Sequence, residues 1–211
     1  MTIRLHRGDL PDLASDTLSA YAAADAVAVD TETLGLRPHR DRLCVVQLSA
    51  GDGTADLVQI AAGQTRAPNL ERLLGDPSKT KIFHFARFDV AVLENALGIA
   101  CAPIFCTKIA SRLTRTYTDR HGLKDLTREL LGVEISKQQQ SSDWAADDLT
   151  DAQQAYAASD VLHLHALRDK LAARLAREGR GDLAAACFEF LPTRARLDLA
   201  GWEDADIFAH S

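Results

Sequence analysis

With 211 residues, 46% apolar and 26% charged, the chain has the make-up of one folded domain, which excludes a mostly disordered polypeptide and leaves little room for a second core. No run of about 18 apolar residues is present to span a bilayer, and charges interrupt the N-terminal stretch where a signal peptide needs its apolar segment, so a cytoplasmic protein without membrane association is expected. A net charge of −6 argues against a broad polyanion-binding surface, but acids that bind cations are neutralised on loading, so local patches matter more than the sum.

In chain order, a short strand is expected near Ile3 to His6, followed by a helix over Pro11 to Ala24, where a proline opens an alanine-rich stretch. Three short apolar runs follow: Ala26-Val-Ala-Val-Asp-Thr-Glu, Arg42-Leu-Cys-Val-Val-Gln-Leu-Ser and Ala55-Asp-Leu-Val-Gln-Ile. They are rich in β-branched residues and bounded by turn residues, which predicts neighbouring strands. Gly35 with Pro38, and Gly51-Asp52-Gly53, fit the hairpin turns between them. Pro68 to Leu74 reads as a helix, Lys79 to Phe85 as a buried strand, and Arg87 to Leu97 as a helix stopped by Gly98. The rest carries leucine and alanine at helical intervals: Cys106 to Thr116, Leu123 to Leu131, Thr150 to Arg177 and a last helix from about Asp182. The plan is α/β, one mixed sheet flanked by helices with a mostly helical C-terminal half, in a single domain over residues 1–211.

Cys44, Cys101, Cys106 and Cys187 form no CxxC pair, and no His-x-x-x-His segment completes a zinc site, so reduced and mostly buried thiols are expected. Between Cys106 and Lys137 there are seven Lys and Arg (108, 112, 115, 120, 124, 128, 137) against four acids (119, 125, 129, 134), a local balance of +3. This is either a nucleic-acid-facing patch or a solvated helical face with pairs such as Asp125 with Arg128. His163 and His165 are two residues apart on a helix, about 200° around it, and cannot chelate jointly.

Asp30 and Glu32 stand at i and i+2 on a strand, so both project from one face, and two anions held that close call for a cation. Hard oxygen ligands favour magnesium or manganese. Asp89 falls in the first turn of a helix after a buried strand, where an acid alone would only complement the helix dipole. Tyr156 and Asp160, four apart, share one helical face. Each motif has an ordinary explanation by itself; their order, each at an element that lets them converge, is what points to a joint site.

These residues resemble the proofreading-type exonuclease superfamily with four acidic residues, in the subgroup with tyrosine in its last motif. Asp-x-Glu on a strand, an aspartate after an aromatic residue and Tyr-x-x-x-Asp on a helix match Asp30, Glu32, Asp89, Tyr156 and Asp160 one by one; the histidine of the sister subgroup would stand where Ala155 is. Within that superfamily the chain looks like ribonuclease D from about Ala26 to Leu171, through Arg42-Leu-Cys-Val-Val-Gln-Leu, His121-Gly-Leu-Lys-Asp-Leu and Ser136-Lys-Gln-Gln-Gln-Ser-Ser-Asp-Trp144. The resemblance implies a ribonuclease H-like sheet and 3′-to-5′ release of nucleoside 5′-monophosphates from RNA; longer ribonuclease D proteins carry helical RNA-binding domains after the nuclease core, and in a departure from them none is expected here.

A two-cation scheme with Mg2+ or Mn2+ gives Asp30 a bridging role, Glu32 and Asp160 the ion that holds the attacking water, and Asp89 the second ion, directly or through water. Tyr156, with an ordinary pKa near ~10, is better suited to orienting the nucleophile than to acting as base. Expected substrate contacts are Thr31, Thr33, Leu34, His84, Phe85 and Phe88, with Leu36 nearby as an apolar platform for bases; His84 equally fits a hydrogen-bonded structural role. Lys137 and Gln140 are expected at phosphates. Transfer-RNA precursors are one candidate substrate. A DNA exonuclease of the same superfamily, or a non-catalytic RNA-binding module, are the alternatives, and no motif reads a 2′-hydroxyl.

Overall fold

The structure is a computed structural model that describes every residue except Met1, Ala14, Asp16, Thr17, Lys137 and Ser211. Six strands form one mixed sheet in the order β1-β4-β3-β2-β5-β6: β1 is Thr2–Arg7, β2 Ala26–Thr33, β3 Leu43–Ser49, β4 Thr54–Gln59, β5 Thr80–Phe83 and β6 Ile104–Cys106. The three apolar runs read from the sequence are β2, β3 and β4, paired antiparallel as two hairpins. On their outer edge β1 runs parallel to β4; on the other side β5 and β6 run parallel to β2.

Helices α1 (Ser19–Ala23), α2 (Pro68–Leu74), α3 (Ala86–Leu97), α4 (Thr107–Thr114), α5 (Leu123–Leu126), α6 (Asp151–Leu162), α7 (Leu164–Arg177) and α8 (Gly181–Leu197) surround the sheet. Among them none is long and apolar enough to cross a membrane. A π-helical stretch, Thr127–Leu131, extends α5, and another, Asp198–Trp202, follows α8.

Several expectations need correction. The helix expected over Pro11 to Ala24 is only α1, Ser19–Ala23. Ala14, Asp16 and Thr17 lie outside the described residues. The helix expected from Cys106 begins one residue later, because Ile104–Cys106 add a third parallel strand beside β5. The span Thr150 to Arg177 is two helices broken at His163. Thr150 starts α6 with a reciprocal capping box, its side chain accepting from the Gln153 backbone N–H. After the break, the His165 ring reaches the Ala26 carbonyl at 3.2 Å and lies against Gly51, where a Cβ would come within 3.0 Å of the ring. Side-chain periodicity carries no record of that close approach.

The core is apolar on both faces. Val27, Val29, Val46 and Leu48 pack in a large cluster that includes α3 and α7, while Val45 and Leu57 pack with Trp144 and with Ala157 of α6. Alternation along β2 therefore turns Asp30 and Glu32 toward α6 and Thr31 toward α3.

Candidate active site

Parallel pairing of β2 with β5 sets the C-terminal ends of the two strands side by side, the usual place for ligands in parallel sheets. Asp30 to Thr33 end β2, and the turn after β5 leads through His84 and Phe85 into the first turn of α3, which carries Asp89. From above, α6 supplies Tyr156 and Asp160. Residues 30, 89 and 160 meet because a strand end, a helix start and a helix face converge on one crevice.

Carboxylate oxygens of Asp30, Glu32 and Asp160 all lie within 4.8 Å of one another. Burial, then the neighbouring acids Asp89, Asp160 and Glu32, push Asp30 well above the usual carboxylate range; burial, then Asp160 and Asp89, push Glu32 up to about 9. Such crowding of hard oxygens in a half-buried place is what a divalent cation relieves, so the donor set fits one. Asp89 stands one layer back. Its carboxylate is buried, accepts a hydrogen bond from the Thr31 hydroxyl at 2.7 Å, and is raised to about 7 by burial.

The phenol of Tyr156 donates to Asp160, one helical turn away, and its ring lies against Trp144 with centroids 5.9 Å apart. Burial, then Asp160, Glu32 and Asp30, push this phenol up from its ordinary value, so it keeps its proton at neutral pH. His84 is held down at about 3, first by burial and then by Lys108, and is therefore neutral. Its Nδ1 lies 2.9 Å from the Thr107 hydroxyl and its ring also meets the His121 backbone. His84 is thus hydrogen-bonded within the fold and borders the pocket as well.

A cavity of about 310 Å³ opens over the acids, bordered by Asp30, Thr31, Glu32, Tyr156 and Asp160 on one side. His84, Phe85, Lys108, Lys124, Ser136 and Gln140 border the remainder. Phe85 adopts φ 70°, a left-handed conformation costing about 1 to 2 kcal/mol for a residue with a Cβ. Its ring is exposed beneath the Lys108 ammonium, 4.2 Å from the centroid. Phe85 is shared with a neighbouring cavity of about 360 Å³ that Phe88 and Leu36 also line. The larger cavity lacks the acid cluster, which lines the smaller one.

The expected contacts thus divide. Thr31, His84, Phe85 and Gln140 border the acid pocket, Phe88 borders only its neighbour, and Leu34 is exposed beside them. Thr33 turns its hydroxyl to the Gly35 carbonyl, steadying the loop after β2. Lys137 lies outside the described residues. Lys108 and Lys124 were visible in the sequence only as members of a basic patch, in which Asp125 and Arg128 do form the expected pair at 2.8 Å. All four cysteines are free, three of them buried.

A sequence model of the 3′-5′ exonuclease matches residues 9–176. The chain belongs to that family. Within it the chain is ribonuclease D-like: Ribonuclease D of Gluconacetobacter diazotrophicus is 39% identical over 159 residues, 75% of this chain but 40% of that protein. The chain thus spans about two fifths of the length of such curated relatives. Escherichia coli RNase D, an exoribonuclease involved in structured RNA processing, is 27% identical with a TM-score of 0.78, over 93% of this chain and 51% of that one. NrnC of Brucella melitensis, solved with bound Mg2+, is 65% identical with a TM-score of 0.94 over the whole of both chains. The same protein has been solved bound to pGG, at 66% identity. The expected ribonuclease H-like mixed sheet is the fold of this exonuclease family member.

Proposed function

We propose that the chain is a metal-dependent 3′-to-5′ exoribonuclease that releases nucleoside 5′-monophosphates, with RNA of dinucleotide size as its preferred substrate. The observation that carries this reading is the meeting of Asp30, Glu32 and Asp160 within 4.8 Å, in a cavity that also presents Lys108 and Lys124.

Asp30, Glu32 and Asp160 are the proposed ligands of two divalent cations, Mg2+ or Mn2+, with Asp89 completing the second site directly or through water. Bound there, such ions neutralise the acids, polarise phosphoryl oxygens and acidify an attacking water. Tyr156 holds its proton at Oη and orients the nucleophile rather than deprotonating it. Lys108, Lys124, Lys137 and Gln140 are the proposed phosphate contacts. Phe85 offers an exposed ring to a base, and stacking of this kind is worth about 1 to 3 kcal/mol whatever the base. Thr31, Thr33, Leu34, His84 and Phe88 shape the surface around it.

The 65% identity to Brucella NrnC across both full lengths, and that protein's binding of pGG, support a short substrate. Likeness to E. coli RNase D keeps trimming of transfer-RNA precursors as the competing substrate.

The test is to incubate end-labelled pGG, a longer RNA, a transfer-RNA precursor and matched DNA with wild type and Asp30→Asn. Mn2+ or Mg2+ is supplied in one arm and chelator in the other. Wild type should degrade pGG fastest. Asp30→Asn or chelator should slow it by roughly 10³-fold or more, about 4 kcal/mol of barrier. Equal rates in wild type and Asp30→Asn would overturn the site; a preference for the precursor or for DNA would overturn the substrate.

A further inference from the structure

Beside the acid cluster, the fully buried side chain of Gln47 has no hydrogen-bond partner among the described residues. Gln47 of β3 is wholly excluded from solvent, and among the described residues neither its amide nitrogen nor its amide oxygen meets a hydrogen-bonding group. A buried polar group left in that state is destabilising. An apolar residue would avoid the penalty, and the neighbouring positions on the same face, Val45 and Leu57, are apolar.

Strand register shows what Gln47 stands next to. It pairs with Asp30 across the β2–β3 ladder, just as Val45 pairs with Glu32. Directly opposed residues on antiparallel strands share a face, with Cβ atoms about 4.5 to 5.5 Å apart, within reach of a glutamine amide. That face is the one covered by α6, since Val45 and Leu57 pack against Ala157 there. Gln47 therefore occupies the seam between the strand carrying Asp30 and the helix carrying Tyr156 and Asp160.

A carboxylate that ligates a cation keeps lone pairs that need donors, and those donors orient it. The Thr31 backbone N–H supplies Asp30 with one. A lysine or arginine in the seam would compete with the cation for the same oxygens; a neutral amide donates without competing.

We propose that Gln47 is a positioning residue of the cation site, its amide N–H donating to the Asp30 carboxylate when that group ligates a divalent ion. The assignment rests on the reading of the acid cluster as a cation site, and its test separates the two. Mn2+ affinity is measured by titration calorimetry for wild type, Gln47→Met and Asp30→Asn, and melting temperature is recorded in chelator. Gln47→Met should bind Mn2+ about 10-fold or more weakly, in the range found when groups that orient metal ligands are removed. In chelator it should melt at or above the wild-type temperature, because an unsatisfied polar group has gone. Gln47→Leu gives the same readout if the methionine variant does not fold. Wild-type Mn2+ affinity with a lowered melting temperature would mean a packing role and overturn the proposal. Asp30→Asn binding Mn2+ like wild type would overturn the cation site itself. Loss in Asp30→Asn with none in Gln47→Met would overturn only the role of Gln47.

Discussion

His84 joins three segments of the chain through one side chain. It borders the pocket, bonds Thr107 at the start of α4 and meets the backbone of His121, tying the turn after β5 to the segment that carries Lys124. Burial and then Lys108 hold its pKa at about 3, against about 6.5 in an unfolded chain. Between about pH 3 and 6.5 the unfolded state binds the extra proton, so stability rises with pH over that window and is lost as the solution is acidified. His84→Asn keeps an acceptor near Thr107 and removes this titration. The expected result is a melting temperature that falls less steeply than in wild type from pH 6.5 toward pH 4; parallel curves would show that His84 is not buried neutral. Asp-x-Glu and Tyr-x-x-x-Asp were legible because both are local: strand alternation and one helical turn fix which side chains share a face. Gln47 lies in a strand that the sequence marks, but its pairing with Asp30 is a cross-strand register that periodicity does not encode.

The edge strand β1 is held by a buried ionic knot. Asp56 of β4, fully buried, accepts from Arg4 through two nitrogens at 2.7 Å, lies 2.7 Å from His6 Nε2 and accepts from the Tyr21 hydroxyl of α1 at 2.7 Å. Burial would raise this carboxyl, yet the hydrogen bonds from Arg4, His6 and Tyr21 hold it down at about 2. Breaking such a network leaves the part-buried Arg4 and the buried Tyr21 hydroxyl without their acceptor, at a cost of about 1 to 3 kcal/mol. Asp56→Ala should lose that much in urea denaturation while its Mn2+ affinity stays as in wild type, because the knot lies away from the acid cluster. A loss under about 1 kcal/mol would mean that apolar packing alone retains β1. Element types were mostly legible from period and turn residues, as with the hairpins of β2, β3 and β4. Alanine enrichment overstated α1, and the break at His163 was hidden because leucine and alanine keep helical spacing across it.

Across the molecule, the net charge of −6 coexists with lysines at the pocket. On the proposed reading, a dinucleotide would meet mainly the field of the cation-loaded pocket and its lysines, whereas a longer RNA would extend its phosphates over a surface that is negative on balance. Raising ionic strength from about 0.01 M to 0.1 M shortens the Debye length from about 30 Å to about 10 Å, which weakens both the attraction of the short substrate and the repulsion of the long one. The proposed preference for pGG over a 20-mer RNA in kcat/KM should therefore narrow as salt is added. A ratio that widens would show that surface charge does not contribute to length selection.

By itself the sequence determined most element types, the faces on which the acids lie, and the family, because those depend on spacings of two to four residues and on motifs with few alternatives. Tertiary structure alone decided that Lys108 and Lys124 share the pocket with the acids, that Phe88 faces a neighbouring cavity, and that Gln47 lies against Asp30. Those neighbours are set by strand order and by how helices lie across the sheet, and segments tens of residues apart leave no periodic trace of which will meet.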